Sequence, residues 1–378
     1  MIVYLDNSAT TRQYDQVTEV MTRAMRDIYG NPSSLHAMGL AAEKEVRGAR
    51  KAVASSLSCR EEEIVFTSGG TESDNTAIFG VARARRREGR RIITTRVEHP
   101  AVLEACKVLE QDGCDVVYID VDDQCRLNMD QLKDAVNDET VLISVMAVNN
   151  EVGTIMPLSD VAAAKGRALF HADAVQGYGK VNLHNTGADL ISLSSHKIHG
   201  PKGVGALYIR KGVNLPAFMV GGGQEKHRRS GTENVPAIIG FGEASRLAEQ
   251  RFDQRVSAMA LARRRLLDGL RDQIGDIRIN SPEDGAASVL NVSFLGCRGE
   301  VLLHTLEQDG IYVSTGSACS SNKKGRSHVL AAMGLSDKEI EGAIRFSFSE
   351  FNTPEEMDYV TEKVKSAVER FRRLGSFR

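Results

Sequence analysis

Between residues 64 and 209 the chain sets down short apolar runs that do not alternate with polar residues. They are Ile64-Val-Phe-Thr, Ile92-Ile-Thr-Thr, Val116-Val-Tyr-Ile, Val141-Leu-Ile-Ser-Val-Met, Leu190-Ile-Ser-Leu and Gly205-Ala-Leu-Tyr-Ile. A strand with one wet face shows a period of two. A run that is apolar throughout suits a strand covered on both faces. Helical patterns lie between most of these runs, such as Ala41 to Ser56 and Thr76 to Arg87. Strand–helix alternation with doubly buried strands predicts an α/β domain with a mostly parallel sheet.

The pattern changes near Ala237. A long helical stretch without proline runs from Ala237 to Ile274. Strand-like Ala287 to Phe294, a helix from Glu300 to Asp309 and extended Ile311-Tyr-Val-Ser follow. Thr353-Pro-Glu-Glu puts Thr at the N-cap, Pro at N1 and Glu at N3, the signature of a capped helix start. Ser336-Asp-Lys-Glu repeats it. These elements predict a second, smaller α+β domain.

Composition excludes several classes. At 42% hydrophobic and 26% charged residues, the chain reads as an ordinary globular protein. A net charge of −2 gives no general pull toward nucleic acid or an anionic membrane. No segment reaches the ~18 apolar residues of a spanning helix, and Met1-Ile-Val-Tyr-Leu-Asp-Asn-Ser lacks a signal-peptide pattern. The expected location is cytoplasmic. No C-x-x-C pair occurs, so no structural zinc is expected. Cys59, Cys106, Cys114 and Cys125 read as buried thiols. The arginines of Arg83 to Arg91 read as a solvated helix end or as a docking surface for an acidic partner.

The candidate chemistry collects at strand ends. Ser194-Ser-His-Lys-Ile-His follows the run Leu190-Ile-Ser-Leu, and a lysine there suits a Schiff base, with Ser194 and His196 able to donate to a phosphate. His196 and His199 lack a third ligand for a metal. Thr67-Ser-Gly-Gly-Thr lies between a strand and a helix. Gly70 and Thr71 thus read as a phosphate cradle or as a plain N-cap. Asp173, after Phe170-His-Ala, can keep a pyridine nitrogen protonated, and Gln176 can reach the same pocket. His99 and Asn149 end the strands Ile92 to Val97 and Val141 to Val148. Together these strand ends present polar groups at one sheet edge, where α/β folds bind ligands.

The set His99, Asp173-Ala-Val-Gln176 and Ser194-Ser-His-Lys197 resembles the fold-type I enzymes that use pyridoxal 5′-phosphate (PLP). Within them it is similar to the class V aminotransferase group and to the NifS/IscS cysteine desulfurases. Tyr4-Leu-Asp-Asn-Ser-Ala-Thr-Thr, Gly30-Asn-Pro-Ser-Ser-Leu-His and Arg228-Arg-Ser-Gly-Thr-Glu-Asn carry the resemblance along nearly the whole chain. It implies a fold-type I PLP-dependent transferase: a large domain with a mostly parallel seven-stranded sheet over residues 16–255, and a smaller α+β domain over 256–378. An N-terminal segment, 1–15, would pack with the latter.

The resemblance also implies roles. Lys197 would carry PLP, with His99 over the ring and assisting proton transfers. Gly70, Thr71, Asn149, Asp173, Gln176, Ser194 and His196 would bind the cofactor. Asn149 and Arg345 would bind substrate, the latter holding its carboxylate with a guanidinium fork. Thr232 would reach the PLP phosphate of a partner subunit, which implies a homodimer. Cys319, in the Gly- and Ser-rich stretch Ser314 to Arg326, would take sulfur from L-cysteine as a persulfide. Nearby Lys323, Lys324 and Arg326 favour a thiolate. The persulfide would pass to a sulfur-acceptor protein, such as an iron–sulfur scaffold or a tRNA thiolation enzyme. Selenocysteine lyase or another class V PLP enzyme, such as an aminotransferase, is the alternative within the family, and a non-catalytic sulfur-relay scaffold is the alternative outside enzymes. Asn7, Arg12 and the basic Asn322-Lys-Lys-Gly-Arg depart from the family's usual pattern.

Overall fold

The computed structural model describes residues 1–315 and 326–375. Its centre is a seven-stranded sheet in the order Ile64–Thr67, Gly205–Ile209, Leu190–Ser194, Leu169–Asp173, Thr140–Met146, Arg91–Thr95, Asp115–Ile119. Gly205–Ile209 runs antiparallel to both neighbours and every other pairing is parallel. The absence of alternation has a direct cause. Ile93, Ile143, Phe170 and Ile191 pack into one core, while Ile92, Leu142, Leu169 and Leu190 pack into another. Successive residues point to opposite faces, and both faces are covered.

A third core joins the other end of the chain. Val3 and Leu5 pack with Leu266, Leu290, Phe346 and Val360. Val3–Tyr4 pairs in parallel with Ile311–Tyr312. Val289–Phe294 is the middle of an antiparallel sheet between Ala343–Ser347 and Ile277–Ile279. Both expected capping boxes form: Ser336 with Glu339, and Thr353 with Glu356.

Some boundaries differ from the sequence reading. The helix expected from Thr76 spans Gly70–Ala84, because Gly69 turns the chain straight out of the strand at a φ of +155°. That turn packs so closely that a Cβ on Gly205 would lie 2.7 Å from the Gly69 Cα. The stretch Ala237 to Ile274 is two helices, Val235–Gln250 and Phe252–Gln273, with a break at Arg251. No proline marks the break. The second helix carries Arg255, whose Nη1 donates to Gly179 O at 3.0 Å. No helix among the described residues is long and apolar enough to cross a membrane.

Candidate active site

The parallel strands all end at one edge of the sheet, and a cleft of about 300 Å³ opens there. Lys197 lies just beyond Leu190–Ser194, in the short helical turn Ser195–Lys197. Its Nζ donates to Ser8 O and to Ala9 O, the latter at 2.8 Å. The N-terminal segment thus closes over the lysine from one side. Ser194 and His196 also line the cleft. His196 Nδ1 lies 3.1 Å from Thr10 Oγ1. Burial, reinforced by Lys197, Lys202 and Lys180, lowers its pKa to about 4, so the ring is neutral.

Asp173 ends its strand on the cleft floor and accepts from Val175 N at 2.9 Å. Burial raises its pKa, opposed by His99 and Lys197. His99 caps the helix Pro100–Gln111 and accepts from Ala101 N at 3.1 Å through Nδ1. Burial holds its pKa below the usual range. The neutral ring therefore carries its proton on Nε2, a tautomer assigned from that contact.

Gly70 and Thr71 line the cleft at the start of a 15-residue helix. The first N–H groups of a helix have no partner within it. A Cβ on Gly70 would meet Val175 Cγ2 at 2.6 Å, so the backbone must stay bare there. Gln176 donates through Nε2 to Ser8 O at 2.8 Å and accepts from Lys180 Nζ at 3.0 Å. Arg345 reaches in from the smaller sheet. Its Nη1 donates to Asn150 O at 3.1 Å and its Nη2 to Asp6 Oδ1 at 2.8 Å. Its buried Nε finds no partner among the described residues. A bare helix start, a buried carboxylate, a lysine and an orphaned guanidinium N–H suit a phosphorylated pyridine aldehyde and an amino acid.

Three expected site residues stand apart. Asn149 is fully buried but does not line the cleft. Its Nδ2 donates to Val97 O at 3.1 Å, and its Oδ1 accepts from Glu151 N and Val152 N at 2.9 and 3.0 Å. The amide holds a turn whose next residues, Asn150 and Glu151, do face the cleft. Thr232 is exposed and outside the cleft. Cys319, with Lys323 and Lys324, lies outside the described residues.

Sequence reasoning missed other lining residues. Asp74 is buried one turn into the helix after Gly70. Its Oδ1 lacks a hydrogen bond among the described residues, 3.6 Å from His171 Nε2. Its spacing from Gly70 is the signal that could have found it. His328 donates through Nε2 to Glu98 O, 2.9 Å away. A carbonyl only accepts, so this nitrogen bears the proton. Beside it, Ser327 Oγ bonds to Glu151.

Comparison with known proteins fits this geometry. The aminotransferase class-V family model matches residues 3–360. Cysteine desulfurase IscS of Methanosarcina thermophila is 44% identical over 378 residues, covering 99% of this chain and 93% of that protein. Cysteine desulfurase of Trichormus azollae is 43% identical over 382 residues, covering 100% and 95%. A solved NifS-like protein superposes with a TM-score of 0.92 at 41% identity, covering 98% of this chain and all of the other. A structure described as SspA in complex with cysteine gives 0.82 at 32% identity, covering 93% and 100%. The chain belongs to the class-V aminotransferase family and, within it, to the PLP-dependent cysteine desulfurases.

Proposed function

We propose that Lys197 holds PLP covalently and that Cys319 receives the sulfur of L-cysteine. The observation that carries this reading is the convergence of Lys197, Asp173, Gln176, His99 and Arg345, from distant parts of the chain, on one cleft. Gly70, Thr71, Ser194 and His196 would hold the phosphate. Bound PLP supplies an electron sink for charge at the substrate α-carbon.

This chain's residues supply the rest. Asp173 keeps a proton on the ring nitrogen, because a buried carboxylate is best stabilised by an adjacent cation. Gln176 offers an amide N–H to the ring's phenolate oxygen. Arg345 receives the substrate carboxylate on the guanidinium edge that includes its unpartnered Nε. Lys197 Nζ takes the α-proton. His99, with its proton on Nε2, covers the ring and shuttles protons. Asn149 acts through the turn that carries Asn150 and Glu151. The Cys319 thiolate then attacks the substrate sulfur. An S–S bond forms as the C–S bond breaks, the electron pair passes to carbon, and protonation completes alanine. The relative solved with cysteine supports that substrate.

The same reading includes a homodimer in which Thr232 contacts the partner's cofactor phosphate. Exposed Met25, Tyr29, Leu35 and Val220 give apolar surface for such a contact. Residues 1–15 would belong with a small domain over 256–378, and 16–255 would form the large one. The packing of Val3 and Leu5 against Leu290 and Phe346 supports this division. Five unpaired cysteines among the described residues suit a reducing, cytoplasmic setting. The persulfide would pass to an acceptor protein of iron–sulfur assembly or tRNA thiolation.

Two variants test the reading. Lys197→Ala should lose the visible absorbance of the bound cofactor and all alanine formation. Cys319→Ser should keep the absorbance and lose persulfide, and full desulfurase activity in that variant would sink the assignment.

A further inference from the structure

Gln176 is held at both ends of its amide. Ser8 O can only accept, so it selects the Nε2 end, at 2.8 Å. Lys180 Nζ donates to the Oε1 end, at 3.0 Å. Between them the two contacts fix which end is which, and they leave one N–H of Nε2 over. Gln176 lines the cleft, whereas Lys180 lies behind it and is buried, with 5% of its surface exposed. Ser8 O also accepts from Lys197 Nζ. One chain of hydrogen bonds therefore runs from Lys197 through Ser8 and Gln176 to Lys180.

A buried ammonium is an expensive way to hold an amide. Its surroundings add to the cost. Lys197, Arg255 and Arg345 act on Lys180 as like charges, with Glu350 as the opposing one, and His196 is a neutral neighbour. Burial and those cations lower its pKa to about 7. The backbone is committed to the placement as well. Gly179 turns at a φ of +67°, and a Cβ there would come within 3.2 Å of Ala248 and Arg255. The segment Gln176-Gly-Tyr-Gly-Lys is thus folded to bring a lysine back onto the glutamine four residues earlier.

We propose that Lys180 is a positioning residue for the reaction: by fixing the Gln176 amide it keeps an N–H directed to the cofactor's phenolate oxygen. This rests on the reading of Lys197 and Gln176 given above. An N–H donor at that oxygen favours its ionised form and so lowers the pH midpoint of the bound cofactor's visible absorbance. Loss of the donor raises the midpoint.

The test is an absorbance titration of the cofactor-loaded protein, free of substrate, for Lys180→Met, Gln176→Leu and the double variant. The expected result is a rise of about one pH unit in each single variant, with no further rise in the double. An unchanged midpoint in Lys180→Met with normal loading overturns the proposal, as does a double variant whose shift is the sum of the two. If Lys180→Met does not load, Lys180→Gln carries the same test. Failure of both to load, beside a Gln176→Leu that loads, assigns Lys180 to the fold instead and also overturns the proposal. An unmoved midpoint in Gln176→Leu strikes the underlying reading of Gln176, not the lysine alone.

Discussion

Glu350 and Asp173 are both carboxylates taken largely out of water, yet their surroundings are opposite. Glu350 receives two side-chain donors on Oε1 and lies beside a histidine ring. The Tyr14 hydroxyl bonds to it, Arg255 Nε lies 3.0 Å from Oε1, and His199 Nε2 lies 3.2 Å from Oε2. Although burial opposes it, these partners hold the Glu350 pKa well below the usual range. Asp173 receives one backbone N–H, and burial raises its pKa. Nearby Glu98, with one oxygen unpartnered among the described residues, is pushed up to about 8. The first carboxylate stabilises a seam between the N-terminal segment, the helix Phe252–Gln273 and the turn after Lys197. The second lines the cleft. Glu350 is held by cationic and hydroxyl partners from distant parts of the chain, whereas Asp173 has a single backbone donor at the cleft.

That contrast can be broken by substitution. The largest effect is expected at Asp173→Asn. Activity should fall by about 10³-fold, while the cofactor-free protein becomes more stable in denaturant titration, because an under-solvated charge has gone. A loss of both would remove the contrast. Glu350→Ala should do the reverse. It leaves buried Arg255 uncompensated and should cost about 3 kcal/mol of unfolding free energy. The cofactor absorbance per folded molecule should be unchanged. Because the folded-state pKa of Glu350 is depressed, its contribution is present above pH 4.5 and is lost as pH falls below that value. Acid unfolding of the variant should therefore be shallower.

A smaller effect is expected at Glu151, which sits where the two halves of the cleft meet through its bond to Ser327. Burial lifts its pKa from 4.5 to about 7, so the folded state binds this proton more tightly than the unfolded chain. Stability from this group is complete below pH 4.5 and is lost as pH rises through about 7. Glu151→Gln should therefore gain stability over the parent at pH 8 and nothing at pH 4, read by denaturant titration at the two pH values. The smallest effect is at the exposed pair Arg265–Asp358, 2.6 Å apart. Arg265→Ala should leave the Tm within the error of a thermal scan, since such pairs are screened by solvent.

Much of the fold was legible locally. The strand cores, the capped starts at Ser336 and Thr353 and the change of pattern near Ala237 all rest on period and end chemistry, which a few neighbouring residues specify. The break at Arg251 was not legible, because its readable consequence is the reach of Arg255 to Glu350, 95 residues away. At the site, Lys197, Asp173 and His99 were legible as strand-end polar residues. Asn149 had the same signal but turned its amide into its own loop. His328 and Lys180 carried no local signal, since each gains its meaning from a neighbour brought in by the fold.

By itself, then, the amino-acid sequence determined the alternation of doubly buried strands with helices, and with it a sheet edge lined by polar residues. Short-range physics suffices for that: side-chain period, caps and turns. Only the tertiary structure decided which of those polar groups would be satisfied. Ser8 and Ala9 come from the start of the chain, and Arg345 and Glu350 come from near its end. Whether a buried charge meets such a partner depends on contacts spanning hundreds of residues, and no local pattern encodes them.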